Sequence, residues 1–299
     1  GGTGVVHAER HRPDPTEPRH DLFLSTARDN ERLLRRVVGA GLHPRAVSPD
    51  GRRLAVIAGT TAHPRLYVLS LPEGDRERLI RDVDLRPETL AWDPEGRRIA
   101  VSLQGEEAFL LLDADGGAVQ RIPSQAPIVL GWLPFAPPTL LLATDRPAQD
   151  GNSVAVWSPA QPATAPQEIF RTVDAGRIKT AVMSPQGNRL AVIVSEAPRG
   201  HSLLHLVDLQ TGEAPAIWDS PRPLTGLQWS PQGDALYISQ LGREHTEGWI
   251  LNRINIDTLR PEPLIEHRAG WGLSPDGRQM VIAPGNLQRL RVFDLQPRP

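Results

Sequence analysis

Trp229-Ser230-Pro231-Gln232-Gly233, followed by the apolar run Leu236-Tyr237-Ile238, decides the fold, because the same turn and strand recur along the chain. The other copies are Ser48-Pro49-Asp50-Gly51, Asp93-Pro94-Glu95-Gly96, Ser184-Pro185-Gln186-Gly187 and Ser274-Pro275-Asp276-Gly277, with a degenerate one at Leu133-Pro134-Phe135-Ala136. Their starts lie 45, 40, 51, 46 and 44 residues apart. That period suits a four-stranded propeller blade and is too long for leucine-rich or ankyrin repeats. The prolines Pro49, Pro94, Pro185, Pro231 and Pro275 preset the second position of a type I turn. The glycines Gly51, Gly96, Gly187, Gly233 and Gly277 supply the positive φ that closes it.

Each turn leads into a short strand that is apolar at nearly every position: Leu54-Ala55-Val56-Ile57, Ile99-Ala100-Val101, Leu190-Ala191-Val192-Ile193, Met280-Val281-Ile282. Such runs suit strands covered on both faces. A second hairpin follows each first one, as in Arg65-Leu66-Tyr67-Val68-Leu69 before Arg78-Leu79-Ile80. With strands lettered a to d outward from the axis, the proline turn joins a to b and a Gly or Asp turn joins c to d. The expected fold is therefore an all-β propeller of four-stranded antiparallel blades, forming one domain over residues 4–299. A partial blade at 4–37 precedes units at 41–81, 86–123, 127–171, 177–219, 224–266 and 269–299, which gives seven blades, with six as the alternative. Propellers commonly close by pairing strands from the two termini.

The motif resembles that of the TolB-like, WD-repeat-like propeller family, through Trp229-Ser230-Pro231-Gln232-Gly233 and, less closely, Trp92-Asp93-Pro94-Glu95-Gly96. The resemblance runs from Val5 to Leu295. It implies a bacterial envelope setting, in a family that includes assembly proteins, lipoproteins, sensors and the propeller portions of peptidases. TolB-type proteins usually have six blades and a preceding α/β domain; neither is evident here, so the chain is expected to be a relative rather than TolB itself. A periplasmic or extracellular location follows as an expectation. The opening on Gly1 suggests that an N-terminal portion was removed, and membrane association is expected only through an anchor in such a portion.

Composition narrows the function classes. The net charge of -2 comes from 33 basic and 35 acidic residues in mixed order, which argues against a nucleic-acid surface. The chain has no cysteine, hence no disulfide framework and no thiolate chemistry. No Gly-x-Ser-x-Gly elbow, His-Glu-x-x-His pair or glycine-rich phosphate loop is present, so an independent hydrolase is disfavoured and no cofactor is expected. His201 and His205 are spaced for zinc on a helix, but four residues of strand span about 13 Å, too far for two ligands of one ion. No metal site is expected. Trp92, Trp132 and Trp229 each precede a turn, where other blades carry Val47, Met183 and Leu273, so they read as packing between blades. Trp249 and Trp271 are left open between packing and a rim or channel position.

Function on a rigid scaffold tends to sit in its variable loops. Three consecutive blades carry long b-to-c loops, at 145–152, 195–201 and 242–248. Connections b to c and d to a emerge on one face, so the candidate binding residues are Arg146, Asp150, Arg199, His201, Arg243, Glu244, His245 and Glu247 along one rim. The expected function is a non-catalytic, monomeric binding propeller that engages a protein or peptide partner. Alternatives are the propeller of a larger, prolyl-oligopeptidase-like enzyme and a small-molecule or sugar sensor.

Overall fold

The computed structural model describes residues 4–11, 19–26, 32–38, 41–59, 64–71, 77–82, 87–103, 105–133, 136–144, 151–172, 176–196, 200–243, 248–267, 270–274, 276–282 and 291–294. Every regular element among them is a strand, and the strands form seven antiparallel sheets in chain order. Sheet 1 holds β1 (Gly4–His11), β2 (Arg19–Thr26) and β3 (Arg32–Val38). Blade 2 holds β4 (Gly41–Val47), β5 (Arg53–Gly59), β6 (Pro64–Ser70) and β7 (Glu77–Asp82). Blade 3 holds β8 (Pro87–Trp92), β9 (Arg98–Leu103), β10 (Ala108–Asp113) and β11 (Val119–Pro123). Blade 4 holds β12 (Ile128–Leu133), β13 (Thr139–Ala143), β14 (Ser153–Trp157) and β15 (Gln167–Arg171). Blade 5 holds β16 (Arg177–Met183), β17 (Arg189–Glu196), β18 (His201–Asp208) and β19 (Ala216–Ser220). Blade 6 holds β20 (Leu224–Trp229), β21 (Ala235–Leu241), β22 (Trp249–Asn255) and β23 (Pro261–His267). Sheet 7 holds β24 (Trp271–Leu273), β25 (Gln279–Ile282) and β26 (Arg291–Asp294).

The fold is thus an all-β propeller of four-stranded antiparallel blades. The blade count differs from the expectation: among the described residues five blades are complete, not seven or six, because the first and last sheets have three strands each. A period in the sequence counts turn-and-strand units and says nothing about which end sheets find a fourth strand. The chain falls into two compact units, Gly1–Leu142 with Ser158–Ala165, and Ala143–Trp157 with Pro166–Pro299.

Burial follows the apolar runs. In blade 3, β9 is buried from Ile99 to Leu103 and β10 from Ala108 to Leu112, while the outer β11 is mostly exposed. In blade 6, β21 is buried from Ala235 to Gln240, and the outer β23 is mostly exposed. The second strands, and in blade 3 the third strand as well, are therefore covered on both faces, which is why they lack polar alternation; the third strands of blades 5 and 6, β18 and β22, are only partly covered. The cores lie between neighbouring blades: Ala55, Ile57 and Leu66 pack with Trp92, Ile99 and Leu110 in the first unit. In the second unit Ala191, Ile193 and Leu204 pack with Leu224, Trp229 and Leu236.

The turns carry the repeat's chemistry. Gly51, Gly96, Gly187, Gly233 and Gly277 all have φ between 68° and 74°, and each backbone N–H donates at 2.9 Å to the carbonyl of the residue that opens its turn. Ser48, Ser184, Ser230 and Ser274 accept, through Oγ, the N–H of the residue five positions on: Arg53 at 2.9 Å, Arg189 at 3.1 Å, Ala235 at 3.0 Å and Gln279 at 2.9 Å. Their hydroxyl protons divide by turn type. In Ser-Pro-Asp-Gly turns the acceptor is the aspartate two residues on, Asp50 or Asp276. In Ser-Pro-Gln-Gly turns it is the side chain four residues on, Asn188 at 3.1 Å or Asp234 at 2.6 Å. Asp93 does the same work as an acceptor alone, taking the N–H groups of Arg97 at 2.6 Å and Arg98 at 3.1 Å.

Successive blades are tied by a repeated rung. The indole Nε1 of Trp92 donates to Ala46 O at 3.0 Å, that of Trp132 to Ala91 O at 3.1 Å, and that of Trp229 to Val182 O at 3.0 Å. Each acceptor lies two residues before the preceding blade's own turn, so the three tryptophans pack between blades and also bond them. Arg53 stacks over Trp92, 5.0 Å from its ring centroid, and its Nη2 reaches Gly96 O. Arg98 lies over Trp132 at 5.6 Å.

Candidate functional site

Strand registers gather one end of blades 5 and 6 in the second unit. Glu196 at the end of β17 faces His201 at the start of β18, and Ser202 faces Ser220 near the end of β19. Leu224 at the start of β20 faces Gln240, Leu241 faces Trp249, and Trp249 faces His267. This is the end from which the b-to-c and d-to-a connections leave. Of the sequence-derived candidates, Arg146, Asp150, Arg199, Glu244, His245 and Glu247 lie outside the described residues. His201 is half-buried, with Nδ1 3.4 Å from Asp219 Oδ1. Arg243 is exposed. These two therefore share the loop end of adjacent blades.

The long loops are pinned where they leave the sheets. In blade 6, Gly242 N donates to Gly248 O at 2.8 Å, closing the base of the loop that carries Arg243. In blade 5, Gly200 N donates to Glu196 O at 3.1 Å. In blade 4 the base is a polar node centred on the buried Asn152. Its N–H donates to Thr172 Oγ1 at 2.8 Å and its Nδ2 to Gly176 O at 2.9 Å, while Thr144 Oγ1 lies 3.3 Å from its Oδ1. Gly151, with φ 74°, has no room for a side chain there: a Cβ would stand 2.3 Å from Thr172 O.

Between blades 5 and 6 the same end holds a polar anchor absent from the sequence-derived candidates. Arg222, in the segment Ser220-Pro221-Arg222-Pro223, donates from Nη1 to Leu241 O at 2.7 Å and from Nη2 to Gln240 Oε1 at 2.6 Å. Gln240 Nε2 donates to Ser220 Oγ at 2.7 Å. Next to it, Ser239 Oγ accepts from Trp271 Nε1 at 2.7 Å and lies 2.8 Å from His267 Nε2. Trp271 is thereby half-buried packing, tilted against Tyr237 at 6.4 Å, rather than a free indole face. The signal for this anchor was the pair Ser239-Gln240 inside an otherwise apolar strand. A buried polar pair within an apolar run needs partners, and they come from sequence positions 18 to 32 residues away.

His205 is engaged elsewhere on its strand. Its Nδ1 lies 3.1 Å from Ala214 O, and its ring lies 5.4 Å from that of Phe170. A further concavity of about 540 Å³ lies at the opposite, turn end of blade 3 in the first unit, lined by Glu95, Arg97, Arg98, Asp113, Asp115 and Gln120 among others. Its arginines are already matched, Arg97 by Glu95 and Arg98 by Asp93 at 3.3 Å.

No protein-family model matches the chain. A curated relative, tricorn protease homolog 1 of Streptomyces coelicolor, is 29% identical over 128 residues. That match covers 41% of this chain, and the chain spans about a tenth of the relative's length, 11%. Among solved structures, a putative TolB from Agrobacterium tumefaciens superimposes with a TM-score of 0.62 at 17% identity, over 99% of this chain and 100% of that one. An oligogalacturonate lyase in complex with manganese gives 0.64 at 12% identity, over 98% and 83%. At these identities the likeness shows the fold, a TolB-like propeller, and nothing finer.

Proposed function

We propose that the chain is a non-catalytic binding propeller of a bacterial envelope-associated or secreted protein, engaging a protein or peptide partner through the loop end of blades 4 to 6. The observation that carries this reading is the pinned base of three consecutive long loops, with Arg243, the His201–Asp219 pair and Arg222 at the same end of blades 5 and 6. Rigid feet under variable loops are how a scaffold presents a binding surface at low ordering cost. The TolB-like fold supports the envelope setting. Substituting Arg199, Arg243 and Glu244 together is expected to abolish capture of a partner from envelope extract while leaving the melting temperature unchanged; undiminished capture counts against the reading. With seven sheets in chain order, the same proposal takes both end sheets as blades of a seven-bladed propeller, which class averages from electron microscopy would count directly.

A second reading, the propeller portion of a larger peptidase, is favoured by the similarity to the tricorn protease homolog. A gene product that continues past Pro299 into a segment with a Gly-x-Ser-x-Gly elbow would support it over the first.

A further inference from the structure

Arg222 is half-buried, and both acceptors of its guanidinium, Leu241 O and Gln240 Oε1, are neutral. No described carboxylate lies within ion-pairing distance of its guanidinium. The side chain is nevertheless held firmly. Gln240 is fixed from behind by Ser220 Oγ, which also donates to Arg222 O at 2.7 Å and accepts Arg222 N at 3.2 Å, using the hydroxyl's full capacity. The local turn does not require an arginine. In the connection from blade 3 to blade 4, Ser124 Oγ donates to Ala126 O at 2.9 Å and accepts Ala126 N at 3.0 Å, and the residue in the arginine's place is a buried alanine.

Withdrawing a guanidinium from water without a counter-charge is costly, and its planar fork is preorganised for a carboxylate. Two of its five N–H donors are spent on the anchor, leaving three. Building on the binding reading above, we propose that Arg222 is the receptor for a side-chain carboxylate of an acidic peptide segment of the partner. The surroundings favour a peptide over an acidic sugar. The described tryptophans at this end, Trp249 and Trp271, are half-buried, and none of the described aromatic side chains is fully exposed, which leaves little ring face for stacking on a pyranose. The exposed side chains of the neighbouring first strands β16 and β20 include Lys179 and Thr225, which suit carboxylates and peptide amides.

The test is fluorescence anisotropy of the intact chain with three fluorescein-labelled probes: a decapeptide alternating Glu and Gly, its Gln-for-Glu counterpart, and trigalacturonate. The Glu peptide is expected to bind about tenfold or more tighter than the Gln peptide, with that margin lost in Arg222→Gln and partly kept in Arg222→Lys, as a charge-assisted contact requires. Equal binding of the two peptides, no binding of the Glu peptide, binding of trigalacturonate alone, or an unchanged margin in Arg222→Gln overturns the proposal. Should Arg222→Gln not fold, titration of wild-type protein followed by ¹H–¹⁵N spectra of arginine Nε decides: one Nε signal must shift with the Glu peptide and not with the Gln peptide, and no shift overturns it. A partner that Arg222→Gln still captures fully from extract removes this inference while leaving the binding reading in place.

Discussion

Replacing Trp229 by Phe tests whether the blades are joined by a hydrogen bond or merely by bulk. Trp229 is 9% exposed, and its indole N–H donates at 3.0 Å to Val182 O across the blade 5 to blade 6 boundary. Phenylalanine keeps a ring in the site and removes that donor. The lost bond is worth about 1 kcal/mol net, and an acceptor left partly unsatisfied adds about 1 kcal/mol more. The smaller ring gives up roughly 40 Å² of buried apolar surface, about 1 kcal/mol. The sum is about 3 kcal/mol, equivalent to a fall of about 1 M or more in urea midpoint for a slope within the usual range. Unfolding should be followed by far-UV circular dichroism, since removing a tryptophan alters fluorescence directly. Trp229→Leu, which installs the side chain found before the turn at Leu273, should cost at least as much. A Trp229→Phe unfolding free energy within about 0.5 kcal/mol of wild type would refute the argument, because a donor that contributes nothing cannot be what joins the blades. Trp92→Phe should lose somewhat more, since Arg53 also stacks on that indole.

Further outcomes follow from the turns and the buried polar chain. Gly51→Ala should cost about 1 kcal/mol, the strain of a positive φ with open space around the new methyl group; Gly277→Ala should cost clearly more, because its Cβ would stand 2.7 Å from Pro231 Cδ, and thermal melts of the pair would show equal losses if turn stacking were absent. The Ser48 hydroxyl, then the Arg52 N–H, hold the Asp50 carboxyl below its ordinary range, and the Ser274 hydroxyl, then the Arg278 N–H, do the same for Asp276. A folded-state pKa below the unfolded one adds stability that is present above about pH 4 and is lost as the pH falls through the folded value. Ser48→Ala and Ser274→Ala should therefore move these carboxyl titrations upward in ¹³C spectra and shrink the acid-induced drop in stability; unmoved titrations would remove the cause assigned here. Ser239→Ala takes the acceptor from Trp271 Nε1 in a buried setting and should cost about 2–3 kcal/mol, whereas a loss below about 0.5 kcal/mol would mean that the indole finds another acceptor.

The sequence by itself determined the blade. Pro231 and Gly233 with Ser230 form a reversal whose own hydrogen bonds lie within five positions, and Leu236-Tyr237-Ile238, short and directly after that reversal, suits a strand covered on both faces. Repetition of that unit made the propeller legible without any long-range information. It also made legible that Trp92, Trp132 and Trp229 pack between blades, because the same position accepts Val, Met or Leu elsewhere. Tertiary structure alone decided the rest. The carbonyl that each indole meets lies 41 to 47 residues away, the partners of Ser239 and Gln240 come from neighbouring strands and connections, and among the described residues the two end sheets have three strands each. That Arg222 meets no described carboxylate belongs to the same class. Whether a charge is paired depends on which atoms surround it in space, and an arginine between two prolines carries no local trace of that.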